Sequence, residues 1–272
     1  MDTAKPVRFI LDRGSDLEKA RIRWILYGVK PGPNVTVLLS ELQNADGGFP
    51  LDMVKGNLST IDKTLVALWW MEELGMLGST TAETAFAYLM AVQKDDGGWD
   101  ENASIAQYDL PPWIRPGELG TRLYLSSCAA YWLAAADYRA APAFWKALDF
   151  IVRHQDESGR FFGYFHSTWI ATSVLLMAGH PYSEAASKGV QALLARSPSE
   201  WADSQIAWAL DCLGRAGLAR DHALIEKCLS ELLRRQGPDG NWASEDGEAY
   251  AVGARIQAVK VLKHYGLLPA GF

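Results

Sequence analysis

The chain has 272 residues, enough for one large domain or two small ones, and its apolar fraction of 49% supports a sizeable buried core. Its formal net charge is −6 and no stripe of basic residues is present, so the sequence predicts no nucleic-acid partner. No apolar run is long enough to span a bilayer, and the first thirty residues lack the pattern of a secretory leader. With three scattered cysteines that we interpret as free thiols, these features predict a cytoplasmic protein without an integral membrane segment.

The first predicted element follows a polar lead-in over residues 1–14. Residues 51–58 are predicted to form an irregular loop. Residues 100–120 form a longer interruption whose prolines exclude a regular helix, and its aromatic residues favour a packed lid rather than disorder. Apolar periodicity and capping residues predict helices over 15–28, 34–43, 59–75, 81–93, 121–138, 144–154, 166–179, 183–196, 203–217, 221–236 and 247–265.

One short phrase recurs between these helices. It reads Gln-Lys-Asp-Asp-Gly-Gly-Trp over residues 93–99 and returns, with changes, over 43–49 and 236–242 and more weakly over 155–161. Glycine reaches positive φ at no steric cost, and the glutamine amide can tie the helix end to the backbone of the next segment. The closing aromatic residue can fill the seam between neighbouring repeats. A turn that recurs at this period predicts a repeat architecture.

Two kinds of helix alternate along the chain. One kind is apolar round most of its circumference, as over 59–75 and 121–138, and is predicted to be buried on both sides. The other kind has one charged face, as over 81–93 and 221–236, and is predicted to lie outside. The sequence therefore predicts an all-α fold, an α/α toroid with about six inner and five outer helices round a central cavity. It predicts one domain over 1–272 with a lid-like insertion at about 100–120.

The recurrent phrase, followed each time by an apolar helix, resembles the QW-type repeat of the terpenoid cyclase and protein prenyltransferase superfamily. This superfamily includes the squalene–hopene cyclases. The resemblance covers nearly the whole chain and implies an α/α toroid that holds an isoprenoid chain in an aromatic-lined cavity. The large cyclases carry two such domains, whereas the length of this chain allows one.

The resemblance also points to a catalytic acid. Class II cyclases protonate their substrate with the middle Asp of an Asp-x-Asp-Asp-Thr stretch at the top of an inner helix. Asp62 occupies that position here and Thr64 matches, but Thr60 and Lys63 replace the flanking aspartates. Flanking carboxylates raise the pKa of an acid by like-charge repulsion, whereas a lysine that points inward does the opposite. Asp62 is therefore predicted to be the catalytic acid or, alternatively, a residue that caps the N-terminus of its helix.

Further candidates come from the other predicted inner helices and the long loop. His166 begins an inner helix at a place equivalent to Asp62 and is the second catalytic candidate, with a hydrogen-bonded structural residue as the alternative. In the long loop, Asp109 and Trp113 are predicted to bind substrate. Asp109 and Glu118 could reach over the mouth of the cavity or, alternatively, be ordinary acidic residues exposed to solvent. Aromatic residues whose rings could stabilise carbocations, or instead belong to the ordinary core, are Trp69, Trp70, Tyr124, Tyr131, Trp132, Trp169 and Trp208.

No metal or other cofactor is predicted. Protein prenyltransferases bind zinc through an Asp-x-Cys pair and a distant His, but the matching helix start here reads Asp203-Ser204-Gln205 and lacks the thiolate. Asp211 and Cys212 are adjacent on a helix and point about 100° apart, which disfavours a chelating pair.

These features favour an enzyme, a small terpene-cyclase-like lyase or isomerase of natural-product biosynthesis that cyclises an apolar polyene or isoprenoid-like substrate. The alternative is a non-catalytic toroid that binds or carries a hydrophobic small molecule or a protein partner, because Thr60, Lys63 and Gln205 depart from the family's patterns. A polysaccharide-cleaving toroid enzyme would need paired carboxylates, for which Asp62, Asp109 and Glu118 are available. Nothing in the sequence sets the oligomeric state.

Overall fold

Helices dominate residues 4–268, the part of the chain that the computed structural model describes. Within this part the sheet content is one antiparallel pair of two-residue strands, β1 (Phe49–Pro50) and β2 (Ser59–Thr60), in which Phe49 pairs with Thr60. The all-α prediction is confirmed. The α-helices are α1 (Ala4–Arg13), α2 (Asp16–Tyr27), α3 (Pro33–Leu42), α4 (Ile61–Glu72), α5 (Thr80–Ala91), α6 (Leu119–Ala135), α7 (Pro142–Val152), α8 (Phe165–Ala178), α9 (Ser183–Ala195), α10 (Asp203–Arg215), α11 (Ala223–Arg234) and α12 (Ala251–His264).

The predicted polar lead-in is wrong over its described residues, because Ala4–Arg13 is helical. Val7 and Ile10 are buried one turn apart on α1, where they pack with Ile22 of α2 and Ile256 of α12. Charged residues lie between these apolar ones in the sequence, so the short apolar stripe is hard to recognise there. The structure shows it, because partner helices pack on it. No helix within residues 4–268 combines the length and the apolar character needed to cross a membrane.

The chain forms two compact units. The first comprises residues 1–35, 73–75 and 194–272 and contains α1, α2, α10, α11 and α12 in its described part. Within it α12 packs against α1, α2 and α10. Within it the buried Arg21 donates its Nε to Glu73 at 2.7 Å, and the half-buried Lys260 donates its Nζ to Asp211 at 2.7 Å. The prediction of a single domain over 1–272 stays a prediction.

The second unit comprises residues 36–72 and 76–193 and holds the candidate acid. Its central element is α6, which packs against both α4 and α8 and against α7 on another side. Nearly every residue of α6 after Leu123 is buried, in keeping with its nearly continuous apolar sequence. The prediction that such helices are buried on both sides is confirmed for α6.

The recurrent phrase forms the same turn in each copy. The glutamine amides of Gln43, Gln93 and Gln155 donate both to the turn and to a carbonyl at the start of the next helix but one in sequence. For Gln93 the two acceptors are the carbonyls of Gly97 at 2.9 Å and Ala143 at 2.8 Å. The closing aromatic residues are buried in all four copies, at Phe49, Trp99, Phe161 and Trp242. The glutamine therefore links consecutive repeats.

The first glycine of the Gly-Gly pair in the phrase is required both by its backbone conformation and by the lack of room for a side chain. Gly97 has a φ of 92°, and a Cβ there would collide with the carbonyl oxygen of Lys146 on α7. Gly117, in the long loop, has a φ of 82° but no neighbour within 4 Å of such a Cβ. A side chain at either position would strain the backbone, but only a side chain at position 97 would also overlap a neighbour. Comparison of the two positions therefore separates the two effects.

We expect Gly97→Ala to lower the free energy of unfolding by about 3 kcal/mol and Gly117→Ala by about 1 kcal/mol. Both variants adopt a left-handed backbone, but only the first displaces a packed helix. Urea denaturation of the two variants beside the parent chain measures the difference. Equal losses at the two positions would contradict the proposed contact between the turn and α7.

The long interruption is packed. Short 3₁₀ helices form over Ala103–Gln107 and Pro112–Ile114. Ile105, Leu110 and Ile114 are buried together with Leu51, from the segment that follows the first turn. The prediction that this segment is packed rather than disordered agrees with the structure.

Candidate functional site

The first turn of α4 is held from outside the helix. Thr60 caps it, since its Oγ1 accepts the backbone N–H of Lys63 at 3.2 Å. The buried carboxylate of Glu101 accepts the N–H groups of Ile61 at 3.0 Å and of Asp62 at 2.8 Å, one on each oxygen. These groups would otherwise lack partners at a helix N-terminus. Capping therefore does not use the Asp62 side chain, which remains available for other contacts.

Asp62 itself is buried, with 5% of its surface exposed. The Nζ of Lys63 lies 2.9 Å from its Oδ2, and the lysine side chain is 24% exposed. Lys63 therefore does point toward the acid and forms an ion pair with it. Thr64 has a structural role, because its Oγ1 accepts the backbone N–H of Phe49 from the first turn at 2.9 Å.

Glu101 is the second buried carboxyl group at this place. Burial is the main reason that the pKa of Glu101 is raised to about 7; its two backbone hydrogen bonds oppose the rise, and the negative charges of Asp62 and Asp100 add to it. Asp62 and Glu101 thus form a pair of carboxyl groups on one helix end, joined through the Asp62 backbone.

This raised pKa predicts a pH dependence of stability. The unfolded chain loses the Glu101 proton near the ordinary value of 4.5, whereas the folded chain keeps it up to about 7. Folded protein therefore binds more protons in that window, and its stabilisation, complete below pH 4.5, is lost as the pH rises to about 7. We expect a loss of about 3 kcal/mol across the window.

The measurement is urea denaturation at several pH values of the parent chain beside Glu101→Gln. The difference in stability between the two should change across the window by this amount, because all other titrating groups cancel. A difference that is constant with pH would contradict the raised pKa.

Side chains of α6 and α8 continue the site in the second unit. Burial and the negative charge of Asp62 raise the pKa of Cys128 on α6, and a hydrogen bond from Tyr124 opposes them. The Tyr124 ring meets the His166 ring edge-on at 6.4 Å between centroids. His166 in turn lies 4.6 Å from Trp169, centroid to centroid. Cys128, Tyr124, His166 and Trp169 thus form a series of neighbours, and the charge of Asp62 acts on its Cys128 end; we call these five residues the α4–α6–α8 cluster.

The other predicted site residues lie in several places. Tyr131 is buried two turns beyond Tyr124 on α6 and meets Trp132 edge-on at 5.1 Å. Trp69 is half-buried on α4, and Trp208 is half-buried on α10, a helix of the first unit. Asp109 and Trp113 lie in the long loop with exposed side chains. Substrate binding by these residues stays a prediction.

The residues of the proposed zinc comparison have other partners. Asp203 accepts from the Nη1 of Arg235 at 3.0 Å and from the N–H of Ala243 at 2.9 Å. Among residues 4–268, no group of three or more His, Cys, Asp or Glu side chains is placed to hold a metal ion.

Two residues of this site, Cys128 and Glu101, are missing from the sequence prediction. Cys128 is interpreted there only as a free thiol. Glu101 follows Trp99 by two positions, whereas Leu51 and Ser244 stand at that position after Phe49 and Trp242. The sequence signal for Glu101 is this departure from the other copies of the turn.

Known proteins resemble this chain in sequence and in fold. No protein-family model matches the chain. A squalene–hopene cyclase from Zymomonas mobilis is 24% identical over an alignment of 259 positions that covers 81% of this chain and 39% of that protein. The chain therefore spans about two-fifths of the length of this curated relative.

Solved structures share the fold over nearly the whole chain. A protein from Actinoplanes is 18% identical with a TM-score of 0.66, and the match covers 97% of this chain and 100% of that one. The type II terpene cyclase MstE from Scytonema, in complex with its product merosterolic acid A, is 17% identical with a TM-score of 0.66 over 98% of this chain and 96% of that one. MstE with its substrate geranylgeranyl dihydroxybenzoate is 16% identical with a TM-score of 0.62 over 93% and 87%.

The fold is that of the terpene cyclases, an α/α toroid, and the predicted fold class is confirmed. The chain is terpenoid-cyclase-like in fold and, more weakly, in sequence, which confirms the resemblance drawn from the recurrent turn.

Proposed function

We propose that this chain is a small terpene-cyclase-like enzyme that closes rings in an apolar polyene or isoprenoid-like substrate, with Asp62 as the proton donor. The observation that carries the proposal is the buried Asp62 carboxyl group at the N-terminus of α4, with Glu101 as a second buried carboxyl group behind it. A proton donor to an alkene must be shielded from water, because water would otherwise take the proton or quench the cation.

The reaction follows from the donor. The Asp62 carboxyl proton adds to one carbon of a terminal double bond, and the carbocation formed at the other carbon is attacked by the next double bond. Each ring closure converts one π bond into one σ bond and moves the charge along the chain. Loss of a proton from the final cation gives a product isomeric with the substrate.

The surroundings of Asp62 support its role as donor. After the transfer, the negative carboxylate is stabilised by the N-terminal end of α4 and by Lys63 at 2.9 Å. Tyr124, which hydrogen-bonds the Cys128 thiol beside Asp62, offers a ring for the cation. His166, edge-on to Tyr124, is proposed as the second catalytic residue, a base for the final proton.

The comparisons suggest the substrate class. One relative is named for squalene, and the substrate of MstE carries a geranylgeranyl chain. Linear polyprenyl compounds are therefore the first candidates here, and the aromatic residues Trp69, Tyr131, Trp169 and Trp113 of the second unit are proposed to contact them, with Asp109 at a polar end.

The test is incubation with squalene and with geranylgeranyl dihydroxybenzoate, followed by mass spectrometry of the extract. The expected product has the mass of the substrate with fewer double bonds and, in heavy water, contains one deuterium from the acid. A substrate that binds and is recovered unchanged and unlabelled would overturn the proposed reaction.

The Asp62–Lys63 ion pair supports a second candidate function, since Lys63 stands where the cyclase motif has an aspartate and its Nζ lies 2.9 Å from the Asp62 Oδ2. In that case the chain binds or carries a hydrophobic molecule without converting it. Native mass spectrometry identifies a co-purifying hydrophobe, and incubation with that molecule then separates carriage, in which it stays unchanged, from catalysis.

A further inference from the structure

Arg255 is a buried arginine on α12, in the first unit. Only 4% of its surface is exposed, the same fraction as for Arg21, the other arginine that is fully buried within residues 4–268. Arg21 has a carboxylate partner, since its Nε donates to Glu73 at 2.7 Å. In Arg255 the Nε and Nη1 atoms are also buried, but neither has a hydrogen-bond partner in the part of the chain that the structure describes. The two arginines therefore differ in their partners and not in their burial.

A guanidinium group that is buried in this way is unfavourable for the folded chain. The penalty of removing a charge from water is offset only by an opposite charge and by hydrogen bonds to its N–H groups. Burial lowers the pKa of Arg255, and the charges of Glu248 and Asp239 oppose this effect. Both acids are exposed, and neither accepts a hydrogen bond from Nε or Nη1. A water molecule would supply a hydrogen bond without a charge, whereas an anion would supply both.

The packing of Arg255 leaves the edges of its guanidinium group for a ligand. Its Cζ lies over the Phe9 ring of α1, 3.8 Å from the ring centroid. A ring on the face of a guanidinium group does not compete for its N–H groups, because these lie in the guanidinium plane. Phe9 is half-buried, and the exposed Arg13 approaches the same ring at 5.4 Å, so Arg255 lies just beneath the surface of the unit. A small movement of the covering side chains is enough to admit a ligand.

The neighbouring charges leave the charge of Arg255 uncompensated. The charged side chains within one turn of Phe9 on α1, together with the two acids that act on Arg255, are Lys5, Arg8, Arg13, Asp12, Asp239 and Glu248. Three of these are basic and three are acidic, so their formal charges cancel. Arg255 thus adds a positive charge to a neutral surrounding, in a chain whose formal net charge is −6. This distribution favours a ligand with a negative charge.

We propose that Arg255 is the binding residue of an oxyanion site in the first unit, and that the ligand carries a phosphate or carboxylate group. A guanidinium group presents its N–H groups in one plane, where they match the oxygens of a carboxylate or phosphate. The site goes beyond the proposed function, whose acid and substrate contacts belong to the second unit. Such an oxyanion is either a small anion or the charged end of a larger apolar molecule, and the experiment distinguishes the two.

The first experiment measures binding by isothermal titration calorimetry, in a buffer with chloride as its anion. The probes are sodium phosphate, sodium benzoate and geranylgeranyl dihydroxybenzoate. At least one should bind to the parent chain, and Arg255→Gln should weaken that binding about tenfold or more. Arg13→Gln is the matched control, because it removes the same charge beside the same Phe9 ring, and it should change the binding at most about twofold.

The three probes also identify the source of the oxyanion. Binding of the geranylgeranyl compound that depends on Arg255 and exceeds that of phosphate and benzoate assigns the site to the charged end of an apolar molecule. Binding of phosphate or benzoate that depends on Arg255 and is at least as tight assigns it to a small anion. The proposal is overturned if no probe binds, or if every probe binds a folded Arg255→Gln as tightly as it binds Arg13→Gln.

An NMR measurement does not depend on a folded variant. Arginine labelled with nitrogen-15 at Nε gives signals of the buried Nε–H groups, which exchange slowly with water. Titration with the tightest probe should shift one such signal of the parent chain, and Arg255→Lys assigns it by its disappearance. If no slowly exchanging Nε–H signal of the parent chain responds, the proposal is overturned even when the Arg255 variants fail to fold.

Stability separates a ligand site from a purely structural role. Arg255→Met replaces the buried charge by an apolar side chain, and in the chloride buffer this variant should be at least as resistant to urea as the parent chain. Arg21→Met should be clearly less resistant, because Glu73 then loses its Arg21 partner. The tightest probe should raise the midpoint of the parent chain and leave that of Arg255→Met unchanged. A loss in Arg255→Met as large as that in Arg21→Met would show a structural role and overturn the proposal.

Discussion

Replacement of Asp62 by Asn is expected to reduce cyclisation about a thousandfold while the chain stays folded. Asparagine has nearly the same shape, and the first turn of α4 keeps its caps, because Thr60 and Glu101 bind backbone N–H groups rather than the Asp62 side chain. What the variant loses is the acidic proton, since an amide cannot donate one to an alkene. Turnover and deuterium incorporation from heavy water should fall together.

The comparison variant is Asp109→Asn. Asp109 lies in the long loop with its side chain exposed and is proposed to contact the substrate, so the same chemical change there should raise KM while the product still gains one deuterium. Circular dichroism and urea denaturation establish that both variants are folded. Turnover that persists in Asp62→Asn would remove Asp62 as the proton donor, and a much larger loss in Asp109→Asn would move the donor to the loop.

Replacement of Trp99 by Ala is expected to lower the free energy of unfolding by about 3–5 kcal/mol, the largest effect on stability that we predict. Trp99 closes the second copy of the turn, is fully buried, and donates its indole Nε1 to the carbonyl of Leu89 on α5 at 2.7 Å. The variant leaves a large cavity and also a buried carbonyl without its donor. The midpoint of urea denaturation should fall with little change in the slope.

Trp113→Ala is the matched control, because Trp113 is 36% exposed in the long loop and should cost no more than about 1 kcal/mol. Trp242 makes the same bond in the other unit, from its Nε1 to the carbonyl of Leu232 at 2.7 Å, so Trp242→Ala should lose a similar amount to Trp99→Ala. Similar small losses for Trp99→Ala and Trp113→Ala would show that the closing aromatic residue does not hold the repeat together.

The recurrent turn is the part of the fold that could be predicted best. The turn has three local requirements: a glycine at positive φ, a glutamine at the helix end and a buried aromatic residue. Because they are local, the residues that meet them are close together in the sequence. Gln93 and Trp99 meet these requirements as predicted, and Gln155 shows that even the weak copy makes the same pair of hydrogen bonds. Helix bounds are less well predicted, as α1 and the early start of α6 at Leu119 show.

The alternation of apolar and amphipathic helices round a fixed turn, and the place of Asp62 at the start of a buried helix, follow from the amino-acid sequence, because periodicity and turn chemistry act over a few residues. The surroundings of that acid become known from the packed chain alone. Glu101 reaches the N–H groups of α4 from 39 residues away, Lys63 turns toward Asp62 rather than away from it, and Cys128 approaches from a different helix. Such contacts depend on which helix ends meet after packing, and a local pattern does not encode that.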